Sequence, residues 1–194
     1  MERHRIIVGV SGASGVVYAH RLLLAFHDAQ DFEVHLAISR PARRVMAEES
    51  DLSPADLEAL AHASHDPDDV GAGPASGSFL ARAMVVCPCS MATLAAVSRG
   101  AGSNLIHRAA DVALKERRPL VLVCRETPLN LVHLENMRLA HLAGATILPA
   151  APAFYHRPKT IQDLADHMAG KVLDLLDIPH NLYPRWSGGQ GDGP

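Results

Sequence analysis

Residues 108–128 couple the end of an amphipathic helix to a wholly apolar strand. Apolar residues recur every three or four positions through 104–117, which predicts a helix with one buried face. Residues 119–124 are an unbroken apolar run, typical of a strand covered on both faces in a parallel sheet. Arg125 and Glu126 follow directly, and ligands of open α/β sheets bind just beyond such strand ends. The alternative interpretation is a solvated helix face followed by a surface loop.

Four further apolar runs have the length of strands, namely residues 6–10, 32–38, 83–87 and 145–149. Within a few positions, each of the five strands is followed by a small hydroxyl residue, an arginine or a tyrosine. Helical patterns of about 10–15 residues separate the strands, which is the spacing of right-handed βαβ units. The polar residues therefore gather along one edge of a parallel sheet. This favours a binding site over the alternative of solvated surface loops. The expected fold is α/β: a three-layer Rossmann-like (flavodoxin-like) sheet of mainly parallel strands with helices on both faces.

The remaining segments complete one domain. Further helices are expected at about 41–49, 91–99, 131–143 and 160–176. Ser53, followed by Pro54 and an acidic first turn, predicts another helix that ends near Ala63, with a loop over 65–77. No internal repeat or linker divides the chain, so a single domain is expected over 1–186. The glycine-rich composition of 187–194 predicts a disordered tail.

Composition excludes several classes of protein. The 194 residues suit one domain with a substantial core. Eighteen basic and 21 acidic residues give a net charge of -3, which signals no surface for a nucleic acid or another polyanion. The three cysteines, Cys87, Cys89 and Cys124, lack the paired spacing of a zinc site. Reduced, structural thiols in a cytosolic protein are therefore expected.

Neither a membrane segment nor a metal site is predicted. The glycine-containing run 11–15 interrupts the apolar N-terminal stretch, which reads as a first strand rather than a signal peptide. The longest uncharged central segment, 83–98, is shorter than the ~20 apolar residues that span a bilayer. We therefore expect a cytoplasmic protein. The three aspartates of 66–69 have no second acidic cluster and are interpreted as a solvated turn.

The loop after the first strand has the composition of an anion site. Residues 12–15 read Gly-Ala-Ser-Gly, and such a loop offers close backbone approach, a hydroxyl and the N–H groups of a helix N-terminus. It is not the GxGxxG fingerprint of dinucleotide sites, and the second strand ends in Ser39 and Arg40 rather than in an acidic residue. A mononucleotide therefore fits better than a dinucleotide, with NADP kept as an alternative through Arg40. Many βα turns of this kind bind nothing.

The third strand leads into a second candidate loop. Ser90 precedes an alanine- and leucine-rich helix and is a natural N-cap, which by itself explains a serine there. Because Ser90 and Thr93 follow the carboxyl end of a strand, they could equally hold the polar edge of a ligand.

Five motifs, taken together, resemble the flavin prenyltransferases of the UbiX type. They are SGASG after the first strand, ASGSF at 75–79, CPCS at 87–90, the long segment 108–128, and PAFYHRP at 152–158. The resemblance extends from Arg5 to Trp186. It implies that reduced FMN is alkylated by dimethylallyl phosphate at N5 and C6, which gives prenylated FMN for a partner decarboxylase of the UbiD type. It also implies trimer-based dodecamers with sites at subunit interfaces.

The resemblance also assigns roles to residues of this chain. The FMN-binding set is Gly12, Ala13, Ser14, Ser39, Ser90, Met91, Ala92, Thr93 and Arg125. The set for the prenyl phosphate is Ser76, Gly77, Arg108, Lys115, Glu126, Tyr155, Lys171 and Trp186. The catalytic set is Ser14, Glu49, Lys115 and Glu126, with Glu49 and Trp186 near the isoprenyl pocket. The resemblance gives no role to His107.

The chemistry agrees with these assignments. Breaking the carbon–oxygen bond of the substrate produces an allylic cation and a phosphate anion. The cations Arg108, Lys115 and Lys171 could stabilise the leaving phosphate, and the Tyr155 hydroxyl could donate a hydrogen bond to it. Many prenyltransferases use magnesium bound by DDxxD motifs instead, whereas here metal-independent chemistry is expected.

Two other functions stay open. A flavin-dependent cysteine decarboxylase would need a histidine after the first loop and a PxMNxxMW motif, of which residues 134–137 keep only a fragment. A non-catalytic FMN carrier or accessory subunit of a decarboxylase would bind the same cofactor, so the sequence separates it poorly from an enzyme. A serine hydrolase is not indicated, because no GxSxG motif is present.

Overall fold

The computed structural model describes residues 3–29, 31–186 and 188, and its centre is one six-stranded sheet. The strands are β1 (His4–Val10), β2 (Phe32–Ile38), β3 (Ala63–His65), β4 (Ala81–Cys89), β5 (Leu120–Cys124) and β6 (Thr146–Pro149). Their order is β3-β2-β1-β4-β5-β6, and every neighbouring pair is parallel. The helices are α1 (Val16–Ala29), α2 (Arg40–Glu49), α3 (Pro54–Glu58), α4 (Met91–Arg99), α5 (Leu105–Lys115), α6 (Leu131–Leu142) and α7 (Ile161–Leu175), with a 3-10 turn at Gly73–Ala75.

The expected α/β fold is confirmed, and the five predicted strands are present with bounds shifted by up to two residues. The sequence analysis missed β3, which is paired with β2 through His35–Ala63 and Ala37–His65. It was wrong about the preceding helix, because α3 ends at Glu58 rather than near Ala63. A three-residue strand is too short for alternation to reveal it. The other five strands follow the flavodoxin-like order, and β3 extends it to the doubly wound order 3-2-1-4-5-6.

Helices cover both faces of the sheet. One apolar cluster joins β1, β2 and β4 to α1, α2, α3 and α7, and a second joins the sheet to α4, α5 and α6. Ile6 and Val8 belong to the first cluster and Ile7 to the second, because successive side chains of a strand point to opposite faces. Arg21 forms a two-pronged ion pair with Asp166, at 2.5 and 3.0 Å, which links α1 to α7. No helix in the described ranges is long and apolar enough to cross a membrane.

The predicted tail, 187–194, lies outside the described residues apart from Gly188. All three cysteines are buried and free, as expected. The central strands β1, β4 and β5 are buried on both faces over most of their length, so the ends of these strands are where polar loops meet solvent.

Gly9 tests how closely α5 packs on the centre of the sheet. A Cβ atom at this position would lie 2.7 Å from Ile106 Cγ2, so Gly9→Ala should lower the free energy of unfolding by about 1–3 kcal/mol through overpacking. Urea denaturation of the ligand-free protein measures this change. Ile106→Ala removes the opposing atoms, so the double variant should lose less stability than the sum of the two single variants. Additive losses would contradict the predicted close contact.

Candidate active site

The site is built around the point where the chain changes direction across the sheet. From β1 the chain continues to β2 on one side, and from β4 it continues to β5 on the other. Such a switch point opens a crevice at the carboxyl ends of the two central strands. The buried Ser11 hydroxyl lies in this crevice, where it donates to the Pro88 carbonyl (3.0 Å) and accepts from the Ser90 N–H (2.8 Å). Ser11 thus connects the loops that follow β1 and β4.

Sequence reasoning did not assign a role to Ser11. It is the first residue after β1 and belongs to the SGASG motif, so the motif was the signal that could have identified it. Its role depends on the distant residues Pro88 and Ser90, which the sequence alone did not pair with it.

Glu49 closes the N-terminus of α1. It is the last residue of α2, and its Oε1 atom accepts hydrogen bonds from the N–H groups of Gly15 and Val16, both at 2.8 Å. The nearby Ser14 side chain also favours the charged form of this carboxylate. Burial by itself raises the pKa of the Glu49 carboxyl, but these hydrogen bonds and the nearby Arg125 charge hold it below its ordinary value. Glu49 is therefore ionised at neutral pH.

This arrangement differs from the expectation for the first loop. The N–H groups of the helix N-terminus were expected to receive a phosphate, whereas Gly15 and Val16 donate theirs to Glu49. An anion does lie at this helix end, and it is the protein's own carboxylate. Ala13 is buried, and a Cβ atom at Gly12 would lie 2.5 Å from the Pro41 side chain, so this part of the loop packs tightly on α2.

Ser39 and Ser90 cap the helices that follow β2 and β4. Ser39 accepts from the Ala42 N–H, and Ser90 accepts from the Thr93 N–H, each at 3.2 Å. The capping role considered for Ser90 is therefore confirmed. Ser90 also donates to the Thr93 hydroxyl at 3.2 Å. These hydroxyls, with the neighbouring Met91 and Ala92, lie along the carboxyl edge of the sheet.

His107 of α5 reaches this edge from the side. Its Nε2 atom lies 3.4 Å from the Thr93 hydroxyl, and its Nδ1 atom accepts from the Ser103 N–H at 3.3 Å. That second contact leaves the ring proton on Nε2, facing Thr93. Burial lowers the pKa of His107, so the ring is neutral at physiological pH. The resemblance gave His107 no role, and the structure places it against a predicted FMN ligand.

Arg125 and Glu126 follow β5 at the same edge. The Arg125 N–H donates to the Cys89 carbonyl at 3.1 Å, which fixes the start of the loop beside the end of β4. The exposed Glu126 carboxylate accepts from the Thr127 N–H at 2.9 Å.

Tyr18 is a further neighbour that the sequence analysis did not identify. Its ring packs against Gly15, since a Cβ atom on that glycine would lie 2.7 Å from a ring carbon. Burial raises the pKa of Tyr18, the Arg125 charge opposes this rise, and Cys87 and Glu49 add to it. The hydroxyl therefore stays protonated near Glu49 and Arg125. The signal in the sequence was its position in the first turn of α1, three residues after Gly15.

Lys115, one of the cations predicted to bind the prenyl phosphate, lies at the opposite end of the sheet. Lys115 is the last residue of α5, and the chain enters β5 only five residues later. A Cβ atom on Gly77 would lie 2.9 Å from Lys115 Nζ, so Ser76 and Gly77 lie beside this lysine. Both cations of α5 have acidic neighbours: Arg108 pairs with Asp111 at 2.5 Å, and Lys115 pairs with Glu116.

Tyr155, Lys171 and Trp186 form a third group near α7. Tyr155 lies in the loop after β6 and makes an edge-to-face contact with Trp186, with 5.7 Å between the ring centroids. Lys171 Nζ lies 3.7 Å from Asp174, and its side chain is 43% exposed. Trp186 is also exposed. The His167 ring of α7 lies 6.1 Å from Tyr155, and the Lys171 charge lowers the pKa of His167, so His167 connects Lys171 to the two aromatic rings.

A single chain therefore brings the predicted residues together in part. Ser14, Glu49, Ser90, Thr93 and Arg125 share the carboxyl edge, whereas Lys115 lies beyond the amino end of β5. A five-residue strand is about 16 Å long, which separates Lys115 from Arg125 by more than a ligand-binding distance. Phosphate contacts from both ends of the sheet cannot come from one chain.

The described part of the chain contains no group of three histidine, cysteine, aspartate or glutamate side chains able to hold a metal ion. The aspartates at 66–69 make turn contacts instead: Asp66 accepts from the Asp68 N–H, Asp69 accepts from the Gly71 N–H, and Asp68 pairs with Arg40.

A parallel sheet with serine and threonine hydroxyls and an arginine at its switch point is the site of a nucleotide- or flavin-binding α/β protein. The family model described as Flavoprotein matches residues 1–183. The flavin prenyltransferase UbiX of Thauera aromatica is 50% identical over 186 residues, which are 96% of this chain and 95% of the relative. The chain belongs to the flavoprotein family and, within it, to the UbiX-type flavin prenyltransferases.

Two solved structures share the fold throughout. AnUbiX (PadA1), in a crystal structure with FMN and dimethylallyl pyrophosphate, gives a TM-score of 0.93 at 45% identity, over 96% of this chain and 99% of that chain. A dodecameric FMN-dependent UbiX-like decarboxylase from Escherichia coli O157:H7 gives 0.92 at 43% identity, over 95% and 100%.

The Glu49 contacts predict a pH-dependent contribution to stability. The folded pKa lies below the ordinary value of 4.5, so this contribution is present above pH 4.5 and is lost as the pH falls through the folded pKa. At pH 7, Glu49→Gln should lower the free energy of unfolding by about 1 kcal/mol, as for other lost helix caps. Urea denaturation at pH 7 and at acidic pH measures both effects.

The neighbouring Glu48→Gln is the matched control for this experiment. Glu48 forms an exposed pair with Arg44 within α2, and such surface pairs contribute at most about 0.5 kcal/mol. If the two variants lose equal stability and keep the same pH dependence, the Glu49 cap does not stabilise α1.

Proposed function

We propose that the chain transfers the dimethylallyl group of dimethylallyl phosphate to reduced FMN and releases prenylated FMN and phosphate. The observation that carries the proposal is the carboxyl edge, where an ionised carboxylate lies among small hydroxyl residues and an arginine. A relative with the same fold binds FMN and dimethylallyl pyrophosphate together, which supports this assignment of substrates.

FMN suits the donors at the carboxyl edge. A phosphate and the polar edge of a flavin accept hydrogen bonds from hydroxyl groups and from a guanidinium. Because Glu49 occupies the helix N-terminus, we expect the phosphate to use hydroxyls such as Ser39, Ser90 and Thr93 rather than the Gly15 N–H. Gly12, Ala13, Ser14, Met91, Ala92 and Arg125 complete the proposed site. Reduced FMN supplies the electron-rich atoms N5 and C6 that accept the dimethylallyl group.

Glu49 is the base that this reaction needs. A bond formed at an aromatic carbon displaces a hydrogen as a proton, so a proton acceptor has to lie beside the ring. Glu49 is ionised at neutral pH, and the nearby Ser14 side chain favours its charged form. We therefore assign proton transfer to the Glu49 carboxylate and its orientation to Ser14.

The second set of residues stabilises the leaving phosphate. Charge develops on the phosphate oxygens as the carbon–oxygen bond breaks, so fixed cations aimed at those oxygens lower the barrier. Lys115, Arg108 and Lys171 supply the charges, and the Tyr155 hydroxyl supplies a hydrogen bond. Ser76, Gly77, Glu126 and Trp186 complete this proposed pocket.

We also propose a homo-oligomer with sites shared between subunits. Lys115 and Arg125 lie at opposite ends of β5, so a neighbouring chain has to supply one of the two sets. The exposed apolar side chains on and around α6 fit such contacts, and they are Leu129, Leu131, Val132, Leu134 and Leu142. A dodecamer is the assembly of one relative of the same fold. We expect prenylated FMN to pass to a UbiD-type decarboxylase in the cytoplasm, where the three free thiols are stable.

Lys115→Ala and Tyr155→Phe test the phosphate site. If these groups stabilise the leaving phosphate, both variants should bind FMN normally and form prenylated FMN roughly 10²–10³-fold more slowly. Anaerobic single-turnover assays with reduced FMN, followed by mass spectrometry of the released flavin, measure the rate. Arg44→Ala is the control, since Arg44 is also an exposed cation paired with a near neighbour. Wild-type rates in both test variants would favour the FMN carrier.

Mixing two inactive variants tests the shared site. Lys115→Ala and Glu49→Gln damage sets of residues at opposite ends of the sheet, so a mixed oligomer contains some sites in which both sets are intact. Subunits unfolded and refolded together should regain prenyltransferase activity, whereas each variant refolded alone should not. No recovery in mixtures shown by native mass spectrometry to contain both variants would contradict a shared site.

A further inference from the structure

Four donor groups converge on the carboxylate of Asp174 near the end of α7. Tyr183 donates its hydroxyl at 2.6 Å, Arg185 donates at 2.7 Å, and His180 Nε2 lies at 3.1 Å. Lys171 Nζ is more distant, at 3.7 Å, which is an ion pair without a hydrogen bond. Three of the four donors belong to residues 180–186, which we call the C-terminal segment. One carboxylate therefore ties this segment to α7.

Gly170 shows how closely the C-terminal segment packs on α7. A Cβ atom at this position would lie 2.5 Å from a ring carbon of Tyr183 and 2.6 Å from a ring carbon of His180. A glycine inside a helix costs about 1 kcal/mol relative to alanine. The two rings thus occupy the space that any larger residue would need.

The protonation states of the donors are set by their neighbours. His180 Nδ1 accepts from the Leu182 N–H at 3.2 Å, which leaves the ring proton on Nε2 to face Asp174. Burial and the Asp174 charge raise the pKa of Tyr183, so its hydroxyl keeps its proton. Burial by itself raises the pKa of Asp174, but the hydrogen bonds from its partners outweigh this effect and hold it well below its ordinary value. Asp174 is therefore ionised at neutral pH.

The charges in this cluster do not cancel. Asp174 contributes one negative charge, and Arg185 and Lys171 each contribute one positive charge. Arg185 is hydrogen-bonded to Asp174, whereas Lys171 is beyond hydrogen-bond distance. Arg185 thus neutralises most of the carboxylate, and Lys171 keeps a positive charge that an anion can use.

The same anchor fixes the aromatic part of this surface. Trp186 follows Arg185 directly, and its ring contacts Tyr155 edge to face at 5.7 Å. Tyr155 also lies 6.1 Å from the His167 ring of α7. Because Asp174 binds both Arg185 and Tyr183, it determines where Trp186 lies relative to Tyr155 and Lys171.

We propose that Asp174 is a positioning residue that seats the C-terminal segment on α7 and so assembles Lys171, Tyr155 and Trp186 into one wall of the prenyl phosphate site. Arg185 acts in this wall as the partner of Asp174 rather than as a ligand of the phosphate. The proposal rests on the proposed function for its ligand, and on the hydrogen bonds of Asp174 for its mechanism.

Trp186 offers a direct readout, because it is the single tryptophan of the chain. In the FMN-free full-length protein, Asp174→Asn should lower the time-resolved fluorescence anisotropy of Trp186 and speed amide hydrogen exchange in 178–186. Asp166→Asn is the control: it removes a carboxylate from the same helix, where Asp166 binds Arg21 rather than the segment. Unchanged anisotropy and exchange in Asp174→Asn would overturn the anchoring role, whatever the activity of the protein.

Gly170→Ala tests the same seat without changing any charge. On an isolated helix this substitution is stabilising, but here the added Cβ atom meets the rings of Tyr183 and His180. It should therefore free the C-terminal segment as Asp174→Asn does, although the hydrogen-bonding groups are all retained. A more stable protein with unchanged Trp186 anisotropy would contradict the close packing of the C-terminal segment on α7.

Steady-state kinetics test whether the contacts of Asp174 affect binding of the prenyl phosphate. Asp174→Asn should raise KM for dimethylallyl phosphate roughly 10-fold, equal to about 1.4 kcal/mol, and leave the Kd for FMN within about 2-fold. A merely structural defect would weaken FMN binding to the same degree. If Trp186 is freed but KM stays at the wild-type value, the link to the phosphate site is wrong. If the wild-type protein forms no prenylated FMN, the proposed function fails, while the anisotropy experiment still decides the anchoring role.

Discussion

The burial of the sheet on both faces is the constraint on which the rest of this structure depends. Helices cover each face, so the buried parts of the central strands β1, β4 and β5 are apolar, and ligands reach this part of the sheet at its two ends. At the carboxyl end the loops after β1 and β4 meet around the buried Ser11 hydroxyl. At the amino end Lys115 and Gly77 lie together. Lys115 and Arg125, which belong to the two proposed sets of site residues, therefore lie at two edges that one chain cannot bring into contact.

Two carboxylates organise these edges in the same physical way. Glu49 accepts the N–H groups at the start of α1, and Asp174 accepts three donors from the C-terminal segment. In both cases hydrogen bonds outweigh the effect of burial and keep the carboxyl ionised. Glu49 also faces the proposed flavin site, whereas Asp174 acts only on neighbouring residues. One carboxylate thus combines a structural role with a proposed chemical one, and the other is proposed to fix the geometry of a cation and an aromatic side chain.

The distance between the two proposed sets of residues would make assembly of several chains necessary for catalysis. The exposed apolar residues of α6 would be costly on an isolated chain in water, and contact with a second copy would cover them. The same contact can bring the amino end of one sheet towards the carboxyl end of another. Lys115 pairs with its exposed neighbour Glu116, and Lys171 lies 3.7 Å from Asp174. Both lysines are exposed, so both are available to a phosphate in such an assembly.

The sequence by itself determined the α/β fold, because unbroken apolar runs such as 119–124 and the helical periodicity of 104–117 depend only on neighbouring residues. It also determined the family, through long motifs such as SGASG and CPCS. It did not reveal β3, whose three residues carry no periodic signal, and it placed a free helix N-terminus where Glu49 lies. Only the tertiary structure decided these points, together with the contacts of Ser11, Tyr18 and Asp174. Each depends on contacts between residues distant in the chain or on the seating of one segment on another, and local patterns contain no information about such distances.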